Sequence, residues 1–118
     1  MIDRLSEHWT PGQAEFDAFA ELSGDDNPIH VDPDFSARTR FGRTVSPGML
    51  IYTRLRRLLA RAAPGRRQVA QGLMFPNPAF AGEALRLDVT RIAPGRYAMT
   101  ATRVADGAVV TEGEARVE

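Results

Sequence analysis

The densest run of chemistry-bearing side chains is Leu22-Ser23-Gly24-Asp25-Asp26-Asn27-Pro28-Ile29-His30-Val31-Asp32-Pro33-Asp34. Its acids invite a metal reading, and the spacing argues against one. An EF-hand would need an oxygen ligand where Ile29 stands, a glycine where His30 stands and a glutamate where Ser36 stands. Zinc lacks a ligand set, because the only other histidine is His8 and there is no cysteine. The expectation is no metal. An acid/base pair suits these residues better, since Asp25 and His30 flank Asn27-Pro28, a turn that can aim both side chains at one point. An imidazole titrates near neutral pH, and a neighbouring carboxylate can act with it or orient it. The same residues also spell a plain surface turn, because Asn-Pro breaks regular structure.

Three helix starts surround this stretch. Thr10, Pro11 and Gln13 offer a capping threonine, a proline in the first turn and a glutamine able to close a capping box. Phe16, Phe19 and Ala20 then share a helical face, and Gly24 is a stop. Asp32-Pro33 starts a short helix running to about Arg38. The strongest start is Ser46-Pro47, with Ser46 as cap and Ile51, Leu55, Leu58, Leu59 and Ala62 following at helical spacing. Its first turns are apolar on more than one face, as expected of a helix enclosed by other structure, and Ala63-Pro64-Gly65 ends it.

From Gln68 the period becomes alternating. Leu85, Leu87 and Val89 interleave with Arg86, Asp88 and Thr90, which describes a half-buried strand. Ala93-Pro94-Gly95-Arg96 suits a type II turn, Asp106-Gly107 a tight hairpin, and Gly113 a bulge. With Val69–Phe75, Tyr97–Val104 and Val109–Val117, this predicts an antiparallel meander of about four strands. The fold class is α+β, one domain over 1–118, in which a sheet covers a long apolar helix.

Composition narrows the function. The 118 residues are 43% hydrophobic and 25% charged, the make-up of a globular protein. Basic and acidic residues balance at fifteen each, which argues against a nucleic-acid partner. The absence of cysteine excludes disulfides and a thiol nucleophile. No window is long and apolar enough for a membrane span, and the first residues, MIDRLSEHWTPG, hold no apolar run, so a cytoplasmic protein is the expectation. All fifteen basic residues are arginine, and the charge is segregated along the chain. Residues 1–34 carry nine acids and one arginine, whereas residues 35–82 carry nine arginines and no acid. Most of those arginines read as solvated heads on apolar stems.

The acidic stretch resembles a known family. Phe19, Leu22-Ser23-Gly24-Asp25, Asn27-Pro28-Ile29-His30 and Ser36 are similar to the hydratase signature of the MaoC-like, (R)-specific enoyl-CoA hydratases. The similarity continues through Phe35, Phe41, Gly48-Met49-Leu50, and Phe75-Pro76 to Phe80-Ala81-Gly82-Glu83, so it covers most of the chain. The resemblance implies a hot-dog fold, an antiparallel sheet wrapped round a central helix, as a homodimer. It implies a hydro-lyase that adds water to trans-2-enoyl thioesters, giving (R)-3-hydroxyacyl thioesters, with coenzyme A or an acyl carrier as part of the substrate and no further cofactor. Carried over, Asp25 and His30 match the catalytic pair sharing one water, Asn27 matches the asparagine between them, and Gly48 matches the glycine whose N–H binds the thioester carbonyl. Asn27 and Gly48 are thus the expected oxyanion and substrate-binding residues.

One position departs from the pattern. The family commonly has histidine before this glycine, and here the residue is Pro47. Proline suits a first helical turn and leaves the Gly48 N–H in place, so the oxyanion contact is expected to survive, and substrate preference or catalytic efficiency is what the change bears on. The chain is short for the family, which implies an acyl tunnel without an overhanging segment. Arg38, Arg40, Arg43, Arg66 and Arg67 are candidate contacts for the coenzyme A phosphates, against a reading as solvated heads or partners of the acidic segment. Phe75, Met49 and Tyr52 are candidates for the pocket wall. The rival readings are a non-catalytic acyl-thioester-binding protein of the same fold and a hot-dog thioesterase.

Overall fold

The computed structural model describes residues 2–118. Along the chain they form β1 (Arg4–Trp9), α1 (Gln13–Ser23), α2 (Pro28–Val31), α3 (Pro33–Ala37), α4 (Gly48–Ala62), β2 (Gln68–Met74), β3 (Leu85–Ala93), β4 (Arg96–Arg103) and β5 (Val109–Val117). The strands make one antiparallel sheet in the order β1-β3-β4-β5-β2, and α4 lies on its inner face. The helical repeat of Ile51, Leu55, Leu58, Leu59 and Ala62 is the buried stripe of α4. It meets Leu85, Leu87 and Val89 of β3, Tyr97, Met99 and Ala101 of β4, and Val110, Ala115 and Val117 of β5. Each fully buried leucine of this kind stabilises the fold by about 2 kcal/mol.

Several expectations need correction. There are five strands among the described residues, because β1 joins the sheet beside β3. Its alternation is masked by Glu7, which stands between Leu5 and Trp9 on the side facing α4 and reaches Arg61 at 3.6 Å. Only β3, β4 and β5 form the meander, whereas β2 pairs with β5 at the opposite edge. Gly113 is no bulge: a Cβ there would lie 1.9 Å from the Gly72 carbonyl oxygen, so glycine permits the close approach of β5 to β2. The irregularities fall instead at Gln68/Ala70, Arg91/Ala93 and Ala101/Thr102. The Asp106-Gly107 connection is a loop longer than a two-residue hairpin, closed by the Arg103 N–H to the Ala108 carbonyl at 2.8 Å.

Helix caps also differ. Gly12, not Thr10, precedes α1, and Glu15 rather than Gln13 closes the box by accepting from the Gly12 N–H at 3.3 Å. Ser46 does not cap α4; Pro47 stands at the cap and the Ser46 hydroxyl donates to the Pro47 carbonyl at 3.1 Å. The other punctuation holds, with Gly24 ending α1 at φ 80 and Asp32 capping α3 through the Phe35 N–H at 3.0 Å. Among the described residues no helix is long and apolar enough to cross a membrane.

Candidate active site

Each residue of the 22–36 stretch has a local reason for its place. Gly24 adopts the left-handed conformation that turns the chain out of α1, and the next residue, Asp25, donates its N–H to the Ser23 hydroxyl at 3.1 Å. Asn27 accepts from the Ile29 N–H at 3.2 Å and so caps α2, a four-residue helix not anticipated from the sequence. The buried Ser36 hydroxyl donates to the Pro28 and Ile29 carbonyls at 3.4 and 3.3 Å, which ties α3 to α2.

This scaffold brings His30 and Asp25 together. His30 is 9% exposed, and its Nε2 lies 3.6 Å from Asp25 Oδ2, while the Asp25 side chain is half-exposed. His30 Nδ1 lies 2.7 Å from the Val45 carbonyl oxygen. A carbonyl only accepts, so Nδ1 carries a proton, and in the neutral ring Nε2 is left with its lone pair. Two acceptors, Nε2 and the carboxylate, then face one another across a gap that a water molecule can bridge by donating one proton to each.

The strip 44–46 links this pair to α4. The Val45 N–H donates to the Ile29 carbonyl and the Ser46 N–H to the Ala79 carbonyl, both at 2.8 Å, and Val45 bridges Phe80. Two residues on, Gly48 opens α4, and its N–H has no intrahelical acceptor. Asp25, Gly48 and Ser46 share a cleft of about 420 Å³ walled by Met49, Ile51, Phe75, Ala79 and Val110. A Cβ on Gly48 would stand 2.8 Å from Phe75 Cε1, so the aromatic ring occupies the space that glycine leaves.

The remaining candidates are scattered. Asn27 is exposed and outside the cleft wall, its side chain committed to the α2 cap. Arg40 lines the cleft, with its guanidinium 4.8 Å from the Phe41 ring centroid. Arg43 pairs with Glu83 and stacks on Phe80 at 4.3 Å, and Arg67 pairs with Glu118. Arg66 and Arg67 follow the far end of α4, a helix about 22 Å long by its rise per residue. Arg38 is exposed on the C-terminal side of α3. Part of the acidic segment is neutralised within the chain, since Glu7, Glu15 and Asp3 meet Arg61, Arg54 and Arg91, each at 3.6 Å. Met49 and Phe75 line the cleft, whereas Tyr52 bonds Gln68 instead.

One contributor was missed. Gln13 donates from Nε2 to the His30 carbonyl at 2.8 Å and accepts from the Thr44 hydroxyl at 2.6 Å, joining α1 to both sides of the site. Its partners lie 17 and 31 residues away, and no local pattern signals such bonds.

Residues 3–113 match the model of a family described as MaoC like domain. The chain is 38% identical over 122 aligned residues to an (R)-specific enoyl-CoA hydratase of Aeromonas caviae, covering 98% of this chain and 90% of that protein. It is 33% identical to the (R)-specific enoyl-CoA hydratase of Rhodospirillum rubrum, covering 92% and 79%. Among solved structures, the A. caviae (R)-hydratase involved in PHA biosynthesis matches with a TM-score of 0.85 at 33% identity, over 98% of this chain and 92% of that one. An unliganded R-hydratase of Pseudomonas aeruginosa matches with a TM-score of 0.88 at 26% identity, over 99% and 80%.

Proposed function

The chain belongs to the MaoC-like domain family, and from that premise we propose that it is an enoyl-CoA hydratase of the (R)-specific class. It has the hot-dog fold of its structural neighbours. The reaction is reversible addition of water to a trans-2-enoyl thioester, giving the (R)-3-hydroxyacyl thioester. The observation that carries the catalytic assignment is the pairing of His30 Nε2 with Asp25 at 3.6 Å while Nδ1 is held 2.7 Å from the Val45 carbonyl.

In this mechanism Asp25 and His30 hold one water by its two protons. As the water oxygen bonds the β-carbon, the pair takes up one proton, and it returns a proton to the α-carbon as the enolate collapses. Both new bonds form on the face of the alkene that the pair occupies, so the addition is syn. Negative charge gathers meanwhile on the thioester oxygen. The Gly48 N–H, at the positive end of α4, donates to that oxygen. One such donor contributes about 3 kcal/mol in the transition state.

Arg40, at the cleft wall, is the arginine we assign to a coenzyme A phosphate. The assembly is a homodimer in this reading, supported by the edge position of β2 and the exposed Val69 and Met74 on it. The test is hydration of crotonyl-CoA by wild type, Asp25→Asn and His30→Ala, with the mass of the native protein measured alongside. Turnover by wild type and its loss in both variants is expected. Wild-type inactivity, or active variants, would overturn the catalytic assignment.

A further inference from the structure

The segment from Phe75 to Phe80 crosses from β2 towards β3 outside the regular elements, and Phe75, Pro76, Asn77, Pro78 and Ala79 form one wall of the cleft that holds Asp25 and Gly48. Pro76 and Pro78 bring no backbone N–H, so this wall depends on donors from other parts of the chain. The Ser46 N–H donates to the Ala79 carbonyl at 2.8 Å, and Arg103, the last residue of β4, donates from Nη1 to the Pro78 carbonyl at 3.0 Å. Asp106 takes the other edge of the Arg103 guanidinium, accepting from Nε at 3.0 Å and from Nη2 at 2.8 Å. Asp106 is itself pinned by the Ala108 N–H at 3.1 Å. A carboxylate that grips both nitrogens fixes the plane of the guanidinium, and so the direction of the N–H aimed at Pro78.

The residues beside this clamp hold the reacting groups. Ala79 follows Pro78 and accepts from Ser46, two residues ahead of Gly48. Phe80, whose ring centroid lies 5.9 Å from the Arg103 guanidinium, bridges Val45, and the Val45 carbonyl accepts from the His30 ring. Arg103 therefore meets the wall on either side of Ala79, at the stretch that sets both His30 and the first turn of α4. A staple for the β4–β5 loop would need only the Asp106 contacts, whereas the bond to Pro78 reaches back 25 residues to the cleft wall. Resting on the hydratase reading, we infer that Arg103, aimed by Asp106, is a positioning residue for His30 and Gly48 that acts through the 78–80 wall. A misplacement of about 1 Å costs on the order of 100-fold in rate, so a residue outside the cleft lining can govern kcat.

The experiment measures kcat and KM for crotonyl-CoA, with urea unfolding alongside, in wild type, Arg103→Ala, Arg103→Lys and Asp106→Ala. It also records the His30 ring resonances by NMR, with His8→Gln supplying their assignment. Arg103→Ala should lower kcat roughly 10- to 100-fold with KM changed by no more than about twofold. Lysine keeps the charge, but one ammonium cannot span Asp106 and Pro78 as the planar fork does, so it should recover only part of kcat. Asp106→Ala changes an exposed loop and leaves Arg103 in place but unaimed, and should lower kcat about three- to tenfold. The His30 ring resonances should shift in Arg103→Ala. Lower stability with kcat within about twofold of wild type in both alanine variants would assign the clamp to the loop alone and overturn the inference. A change confined to KM would overturn it too. A wild type without turnover would overturn the hydratase reading, and the His30 resonances would then decide the inference: moved in Arg103→Ala, it stands; unmoved, it falls.

Discussion

His30 is joined to Val45 directly and through its neighbour: the Val45 carbonyl accepts from the His30 ring at 2.7 Å, and the Val45 N–H donates to the carbonyl of Ile29, the residue before His30, at 2.8 Å. The imidazole is thereby fixed in position and in tautomer. His30→Ala should lower kcat by about 10²–10⁴-fold, the usual worth of a positioned acid/base group. It should also cost about 1–3 kcal/mol of stability, because the Val45 carbonyl loses its partner. Asp25→Asn should lose activity on a similar scale with stability within about 0.5 kcal/mol, since this side chain is half-exposed. Paired kinetics and denaturation curves separate the two effects.

Gly48 offers a test of the single N–H. Proline is tolerated at a first helical position, and Pro47 already has the extended ψ of 132 that a following proline requires. Gly48→Ala keeps the N–H and Gly48→Pro removes it, while both add a Cβ that must push Phe75 aside. Both should be slower than wild type. The proline variant should be a further 10²-fold or so slower in kcat than the alanine variant. Equal rates would mean that this N–H does not stabilise the transition state.

Gln13 acts on the site through His30. Gln13→Ala leaves the buried Thr44 hydroxyl and the His30 carbonyl without a partner, at a cost of about 1–3 kcal/mol. As a positioning residue it should also lower kcat several-fold with KM unchanged. A stability loss with kcat intact would assign it a structural role alone.

Asp88 pins the unanticipated first strand. It lies directly opposite Ser6, accepts from the Ser6 hydroxyl, and has Arg4 at 3.3 Å and Arg86 at 3.2 Å. Burial by itself would raise its pKa, but these donors outweigh burial and hold the carboxyl below its ordinary value. A carboxyl depressed in the folded state contributes stability that is present above the unfolded pKa, near 4, and is lost as pH falls through the folded value. Asp88→Asn should therefore cost up to about 1 kcal/mol at pH 7, with the deficit shrinking at pH 3. Denaturant unfolding of both proteins at the two pH values reads the difference.

Elements defined by their own period or punctuation are legible in the order of residues alone. The apolar repeat of α4, the alternation of β3, the turn at Gly95 with φ 71 and the Asp32 cap all depend on residues a few positions apart. The family signature likewise marks Asp25 and His30 as a pair, because they stand five positions apart and a local turn can bring them near. β1 is illegible there because its inward Glu7 is stabilised by Arg61, a partner 54 positions on.

By itself, then, the amino-acid order marked the pair proposed as acid and base, the central helix, the glycine that opens it and the class of chemistry that the family carries. Only the tertiary structure decided which His30 nitrogen is free, since the Val45 carbonyl that settles it stands fifteen residues away. It alone set Phe75 on Gly48, placed Arg40 rather than Arg67 at the cleft, and put β2 at the sheet edge. Spacing along a chain governs helices, caps and turns, whereas contacts between distant segments follow from how the buried faces pack.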